Sequence, residues 1–114
     1  MLRGIHHLEG NAKDGQWRWL DPVAILELPS IGKREVALTF GLSPDAPYDA
    51  NDVQILADHS VAGRTTVTKT PVTIAVRSGR TIEIRSALSF RPDDTLHNRD
   101  RRQLAVQLLS LAQR

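Results

Sequence analysis

Proline and glycine interrupt this chain at short and fairly regular intervals, and this spacing limits the folds open to it. They stand at Pro22, Pro29, Gly32, Gly41, Pro44, Pro47, Gly63, Pro71, Gly79 and Pro92. Most of the segments between them are too short for helices of ordinary length. Such spacing is typical of an all-β sandwich or barrel. A chain of 114 residues has the length of one domain.

Two segments alternate between apolar and other side chains with period two, which predicts half-buried antiparallel strands. In residues 34–42 the apolar face carries Val36, Leu38, Phe40 and Leu42. In residues 81–90 it carries Ile82, Ile84, Leu88 and Phe90, with Ser86 as a polar interruption.

Further strands are predicted between these two and before them. Val72, Ile74 and Val76 form a third stripe, and the turn at 78–80 predicts a hairpin between this strand and residues 81–90. Shorter strands are predicted at 53–57 and 63–70. Residues 23–28 are apolar at nearly every position, so we expect a central strand covered on both faces.

The end of the chain fits two patterns. Leu104, Leu108 and Leu111 would form one face of a helix with Asn98 as its N-cap. Leu104 and Leu108, together with Val106 between them, would equally form one face of a strand. Periodicity leaves both readings of residues 100–112 open.

From Trp17 to Leu111 the order of segments resembles a family. An aromatic strand (W-R-W-L-D) precedes A-I-L-E-L-P, E-V-A-L-T-F, D-V-Q-I-L-A-D-H, V-T-I-A-V and I-E-I-R-S-A-L-S-F, and a Pro-containing loop ends in D-R-R-Q-L-A-V-Q-L. This order is similar to that of a β-sandwich accessory domain at the ends of bacterial glycosyltransferases and polysaccharide-biosynthesis proteins. The chain departs from the family by having Ala105 where Gly is common, and these 114 residues do not include the catalytic domain that usually accompanies the family.

The resemblance implies a strand rather than a helix for residues 100–112. It also implies carbohydrate contact or packing against a partner domain. We therefore predict an all-β fold, an antiparallel β-sandwich of jelly-roll type with about seven or eight strands. It would form a single domain over residues 1–114, with residues 1–15 loosely ordered.

Trp17 and Trp19 fall on the same side of a strand, together with Asp21. Indole rings stack on sugar rings and their N–H groups bond hydroxyls, so the pair suits glycan binding. The alternative is that both indoles are core anchors, which the small number of aromatic residues in the chain (two Trp, one Tyr and two Phe) favours.

Asp100, Arg101 and Arg102 follow a loop rich in proline and aspartate. Their carboxylate and guanidinium groups would suit sugar hydroxyls and acidic groups. The alternative is a structural ion pair that holds the final strand. With Trp17, Trp19 and Asp21 they complete our predicted ligand-binding set.

The sequence gives weaker support to a cyclic-dinucleotide site. The stretch D-H-S-V-A-G from Asp58 to Gly63 is similar to half of the signature of the PilZ family, which binds cyclic dinucleotides. The upstream R-x-x-x-R that the family also needs is missing, since Arg3, Arg18 and Arg34 are isolated.

Catalysis and metal binding find little support. Asp58, His59 and Ser60 are adjacent in a strand pattern and would point to alternate faces, which does not make a triad. Asp21 with Asp100 is the carboxylate pair to consider for glycoside chemistry. The histidines lack ligand spacing, and the aspartates at 45, 49 and 52 match no calcium loop. We expect that the protein has no enzymatic activity and binds no metal and no cofactor.

Composition sets the remaining expectations. The chain has no cysteine, a net charge of +2, and no apolar run long enough to span a membrane. We expect a soluble cytoplasmic protein that binds no nucleic acid. Its function is predicted to be a non-catalytic binding module for carbohydrate. The alternative is a protein-interaction module that docks on a glycosyltransferase, on another protein or on a second copy of itself. A cyclic-dinucleotide binder or an enzyme is less favoured.

Overall fold

The protein is described by a computed structural model that covers residues 2–11, 15–28, 34–44, 46–91 and 103–113. Within these ranges it forms eight strands and no helix. The strands are β1 (Leu2–Asn11), β2 (Gly15–Glu27), β3 (Glu35–Gly41), β4 (Ala50–Ala57), β5 (Ser60–Thr68), β6 (Val72–Arg77), β7 (Thr81–Ser86) and β8 (Gln107–Gln113). The prediction of an all-β antiparallel sandwich is confirmed, and the end of the chain is a strand.

The strands follow one hydrogen-bonded path, in the order β5-β4-β7-β2-β8-β3-β6, and β1 pairs with β2. Strand β2 connects the two halves of this path. Its residues Val23–Glu27 pair with β7, whereas Arg18 and Trp19 pair with β8. The change of partner falls around Pro22, whose missing N–H removes one donor from the strand.

The apolar face predicted for residues 34–42 lies in the core, and so does the first part of the face predicted for residues 81–90. That strand is shorter than predicted, since β7 ends at Ser86, and Leu88 is 45% exposed. Val36, Leu38, Phe40, Ile82 and Ile84 are all fully buried. They belong to one cluster that draws side chains from strands on both halves of the path. The period-two pattern therefore identified the buried face of these strands correctly.

Two predictions about neighbouring strands are wrong. The predicted hairpin between 72–76 and 81–90 does not form, because β6 pairs with β3 whereas β7 pairs with β4 and β2. Residues 78–80 instead cross from one half of the path to the other. Strand β2 is also not covered on both faces, since the Val23 side chain is 49% exposed.

A tight turn joins β4 to β5 at Asp58 and His59, which have φ angles of 48° and 70°. Positive φ at both central residues is the mark of a type I′ hairpin turn. The Asp58 carboxylate accepts a hydrogen bond from the backbone N–H of Thr81 at 3.0 Å. The backbone N–H of Asp58 donates to the Thr81 carbonyl at 2.9 Å. These contacts give the first residue of the PilZ-like stretch a structural role.

The two ends of the strand path, β5 and β6, lie against each other. A Cβ atom on Gly63 would stand 2.7 Å from Val76 Cγ1 and 3.1 Å from Ile74 Cδ1. The Arg77 guanidinium donates to the carbonyls of Ser60 at 3.2 Å and Val61 at 3.4 Å. Side chains, rather than a backbone ladder, thus bring the two edges together.

We expect Gly63→Ala to destabilise the protein by about 1–3 kcal/mol, because the new methyl group would overpack against Val76. Without this contact the same change in an extended backbone would stabilise by about 0.4–1 kcal/mol, through lower entropy of the unfolded chain. Urea unfolding would measure the difference. A double-mutant cycle with Val76→Ala should show favourable coupling, and an unchanged or raised stability in Gly63→Ala would contradict the close approach.

Candidate functional site

A groove of about 530 Å³ lies on the outer face of the sheet formed by β5, β4 and β7. Its walls and floor carry the outward-facing side chains of Asp52, Gln54, Arg64, Thr66, Arg85 and Ala87. Five of these six side chains carry polar groups, so the groove offers hydrogen-bonding groups beside the aliphatic parts of the same side chains.

Strand alternation places these side chains on the outside. Val53 and Ile55 are buried in the core, so the residues between and beside them in β4 face away from it. In the paired register, Gln54 stands opposite Arg64 of β5 and opposite Arg85 of β7. These three residues make one row across the groove.

A second polar pair lies two residues away along β4, at the next position that faces outward. Asp52 stands opposite Thr66, and the Thr66 hydroxyl donates to Asp52 Oδ1 at 2.8 Å. Successive outward positions of a strand are roughly 6.5 Å apart. One end of the groove thus carries the row with its two guanidinium groups, and the other end carries the carboxylate–hydroxyl pair of Asp52 and Thr66.

The two arginines of the row have different partners. Arg85 Nε donates to the carboxylate of Glu83 on the same strand, and the Glu83 side chain is 12% exposed against 55% for Arg85. Neither terminal nitrogen of Arg85 bonds another residue in the described part of the chain. The Arg64 guanidinium has no hydrogen bond or ion pair to any described residue.

The rim of the groove is held by Asn51, whose side chain is almost fully buried. Its amide donates to the Leu88 carbonyl at 2.8 Å, and its oxygen accepts the Leu88 N–H at 2.9 Å. The next residue of β4 continues the contact, since the Asp52 carbonyl accepts the Ala87 N–H at 2.9 Å. The chain after β7 is therefore fixed beside β4.

The residues predicted from the sequence lie elsewhere or outside the described part. Trp19 is only 6% exposed and packs edge-to-face on Phe90, with ring centroids 5.8 Å apart. This burial favours the core alternative for Trp19. The backbone of Trp17 lies in β2, but its side chain is outside the described part of the structure. Asp21 is half-buried and engaged in a polar interaction.

Asp100, Arg101 and Arg102 lie outside the described residues. The predicted ligand-binding set therefore stays a prediction. The groove residues were not singled out from the sequence. Alternation in residues 81–90 predicts that Arg85 lies on the face opposite the apolar one, but only the pairing of β4 with β5 and β7 brings Gln54, Arg64 and Arg85 together.

Trp19 belongs to a small second cluster with Ala46, Phe90 and Leu104, against which Tyr48 packs. The Tyr48 hydroxyl donates to the Ala105 carbonyl at 2.7 Å. Burial raises the pKa of Tyr48 to about 12, although a side-chain hydrogen bond with Asn51 lowers it in part. This cluster closes one end of the core and leaves its aromatic rings little exposed surface.

The aspartates considered for calcium have other partners where they are described. Asp49 lies 3.6 Å from Lys69 Nζ, and Asp52 is bonded by Thr66. Asp45 lies outside the described residues. Across the described ranges, no three histidine or acidic side chains are placed to share a metal ion. The same ranges contain no helix of the length and apolarity needed to cross a membrane.

Comparison with known proteins finds likeness in structure only. No family model matches the chain, and no curated protein matches it in sequence. Two solved structures of the CBM51-2 and INT domains of Clostridium perfringens ZmpB are similar in fold, each with 11% identity over 98% of this chain. The TM-score is 0.50 for the structure in complex with GlcNAc and 0.49 for the other.

The chain spans only 28% of the length of each of these two chains. At this identity the likeness is one of fold alone, that of an all-β domain. It does not bear on the glycosyltransferase context, which stays a prediction.

We expect Asn51→Ala to lower the free energy of unfolding by about 1–3 kcal/mol, because the Leu88 N–H and carbonyl would lose two partly buried hydrogen bonds. Chemical denaturation would measure the change. Ser110→Ala, at an exposed strand position, is the control and should stay within about 0.5 kcal/mol of the parent. Equal effects of the two changes would show that the Asn51 bonds do not fix the rim.

Tyr48 is the single tyrosine of the chain, so phenolate absorbance reports on it alone. We expect its titration midpoint near pH 12 in the folded protein and near 10.0 in urea. Between these values the unfolded chain loses its proton first, so stability should fall as pH rises through this window. Tyr48→Phe should lack both the absorbance change and this part of the pH dependence. A folded-state midpoint near 10 would contradict the burial of the hydroxyl.

Proposed function

We propose that this protein is a non-catalytic carbohydrate-binding domain and that the glycan lies in the groove on β5, β4 and β7. The observation that carries the proposal is the side-chain chemistry of the groove. Sugar hydroxyls both donate and accept hydrogen bonds, so a sugar site needs donors and acceptors close together. The groove supplies acceptors from Asp52 and Gln54 and donors from Gln54, Arg64 and Arg85.

The contacts would work as follows. Asp52 accepts from sugar hydroxyls through the oxygen that Thr66 does not occupy, and the Gln54 amide bonds a neighbouring hydroxyl in both directions. The flat guanidinium groups of Arg64 and Arg85 lie beside them and donate to ring or hydroxyl oxygens. No described lining residue is aromatic, so binding would rest on hydrogen bonds rather than on stacking.

The fold supports the proposal without fixing the ligand. The structure of the Clostridium perfringens domains with TM-score 0.50 is a complex with GlcNAc. At 11% identity this is a likeness of fold, so GlcNAc enters here only as one of the sugars to test. The groove lacks a matched pair of carboxylates, since Asp52 is the one acidic residue among its described lining residues, which favours binding over glycoside hydrolysis.

The set predicted from the sequence is a second proposed location for the same function. It comprises Trp17, Trp19, Asp21 and the segment 100–102. None of these residues lines the groove. Variants of the two locations therefore separate them.

The first experiment is a glycan-array screen, with GlcNAc oligomers and neutral and acidic oligosaccharides, followed by calorimetric titration of the strongest ligand. We expect Asp52→Asn and Gln54→Ala each to weaken binding about tenfold, since a lost hydrogen bond of about 1–1.5 kcal/mol corresponds to that factor. Asp49→Asn is the matched control, because it removes a carboxylate that is 99% exposed and outside the groove.

Three results would count against the groove. Binding that survives both groove variants but is lost in Trp17→Ala or Arg101→Gln would move the site to the predicted set. Equal loss in Asp52→Asn and Asp49→Asn would point to a general charge effect. No saturable response to any glycan, with a mass that rises with protein concentration, would favour the protein-interaction alternative.

A further inference from the structure

We infer that the groove selects an acidic sugar, a hexuronic acid residue, whose carboxylate lies on the Arg64–Gln54–Arg85 row and whose hydroxyls lie on Asp52 and Thr66. This inference rests on the proposed function and adds to it the class of sugar and its direction in the groove. The two ends of the groove differ in chemistry.

The row at one end is built to hold an anion. Residues directly opposite in antiparallel strands have Cβ atoms about 5 Å apart, so Arg64 and Arg85 begin about 10 Å apart with Gln54 between them. Both side chains are long enough to reach over Gln54 from the two sides. A carboxylate above Gln54 would accept from both guanidinium groups, and charge-assisted bonds of this kind are the strong ones.

The donors of this row are available. Arg64 has no hydrogen bond or ion pair to any described residue. Glu83 binds Arg85 through Nε alone, and the terminal nitrogens have no partner among the described residues. Glu83 is thus a positioning residue, since it fixes the direction of the guanidinium and leaves its outer edge open for a ligand.

The other end suits hydroxyls and disfavours a second acid. The Asp52 carboxylate would repel an anion but accepts hydroxyl donors, and Thr66 holds one of its oxygens in place. A step of two residues along β4 separates this end from the row, which corresponds to a rise of roughly 6.5 Å, and one pyranose ring spans a gap of that order. The carboxylate of a hexuronic acid and the hydroxyls on the far side of its ring would therefore meet both ends at once.

The test compares oligogalacturonic acid with the same oligosaccharide as its methyl ester, which removes the charge and keeps the sugar. We expect the acid to bind the protein at least tenfold more tightly than the ester, since hydrogen bonds to charged groups are worth more than those to neutral ones. Raising the salt concentration should reduce this ratio. Calorimetric titration measures both ligands with the same protein.

Arg64→Gln should lower the acid-to-ester ratio several-fold, because only Arg85 of the two guanidinium groups remains to bind the carboxylate. Arg80→Gln is the matched control: it removes the same charge from an exposed arginine that does not line the groove, so it should keep the ratio of the parent protein. The melting temperature of each variant shows that it is folded.

Each outcome has one meaning. Acid and ester binding equally well would overturn the inference while leaving the proposed carbohydrate binding intact. A preference for acid that falls equally in Arg64→Gln and Arg80→Gln would also overturn it, because net charge alone would then explain the preference. If neither these ligands nor any other glycan bind, the proposed function itself fails.

Discussion

Strand β2 is the element on which both halves of the structure depend, because its backbone is hydrogen-bonded to each of them. Val23–Glu27 pair with β7, and the part before Pro22 pairs with the end of the chain. The Leu20 N–H donates to the Val106 carbonyl, and the Leu20 carbonyl accepts the Ala105 N–H, both at 2.9 Å. A helix at the end of the chain would leave these buried backbone groups of β2 without hydrogen-bond partners. The free-energy cost of that loss exceeds what burying one apolar helix face would contribute.

The position of the groove follows from this arrangement. Once β7 is paired with β2, β4 pairs with the free edge of β7 and β5 with that of β4. The buried side chains Val53 and Ile84 fix which face of each strand points inward, and a slip by one residue would reverse it. Gln54, Arg64 and Arg85 therefore share the outer face as a consequence of core packing, with no need for contacts among themselves.

The sequence was most informative where a property belongs to one strand and least where it belongs to a pair. Alternation identified the buried faces of β3 and β7, because a strand with one buried face has an apolar residue at every second position. The same signal says nothing about which strand lies alongside. The hairpin predicted at 78–80 is an example, because the signal did not show which strand would pair with residues 81–90. In the structure, the N–H and carbonyl of Thr81 are bonded to Asp58, so they are not available for such a hairpin. The groove, which depends on three paired strands, could not be found from periodicity.

The distribution of aromatic rings decides what kind of recognition the described surface can perform. Trp19, Phe40 and Phe90 are buried and Tyr48 is half-buried, which leaves Trp17 as the one aromatic residue whose side chain lies outside the described part. A ligand in the proposed groove site would then be oriented by polar groups, each of which also bonds well to water. Such groups contribute little unless they are oriented before the ligand arrives. Three contacts supply that orientation: Asn51 holds the rim, Thr66 holds Asp52, and Glu83 holds Arg85. A site of this kind discriminates between ligands more than it raises affinity, because a ligand with a mismatched group leaves a fixed polar partner unpaired.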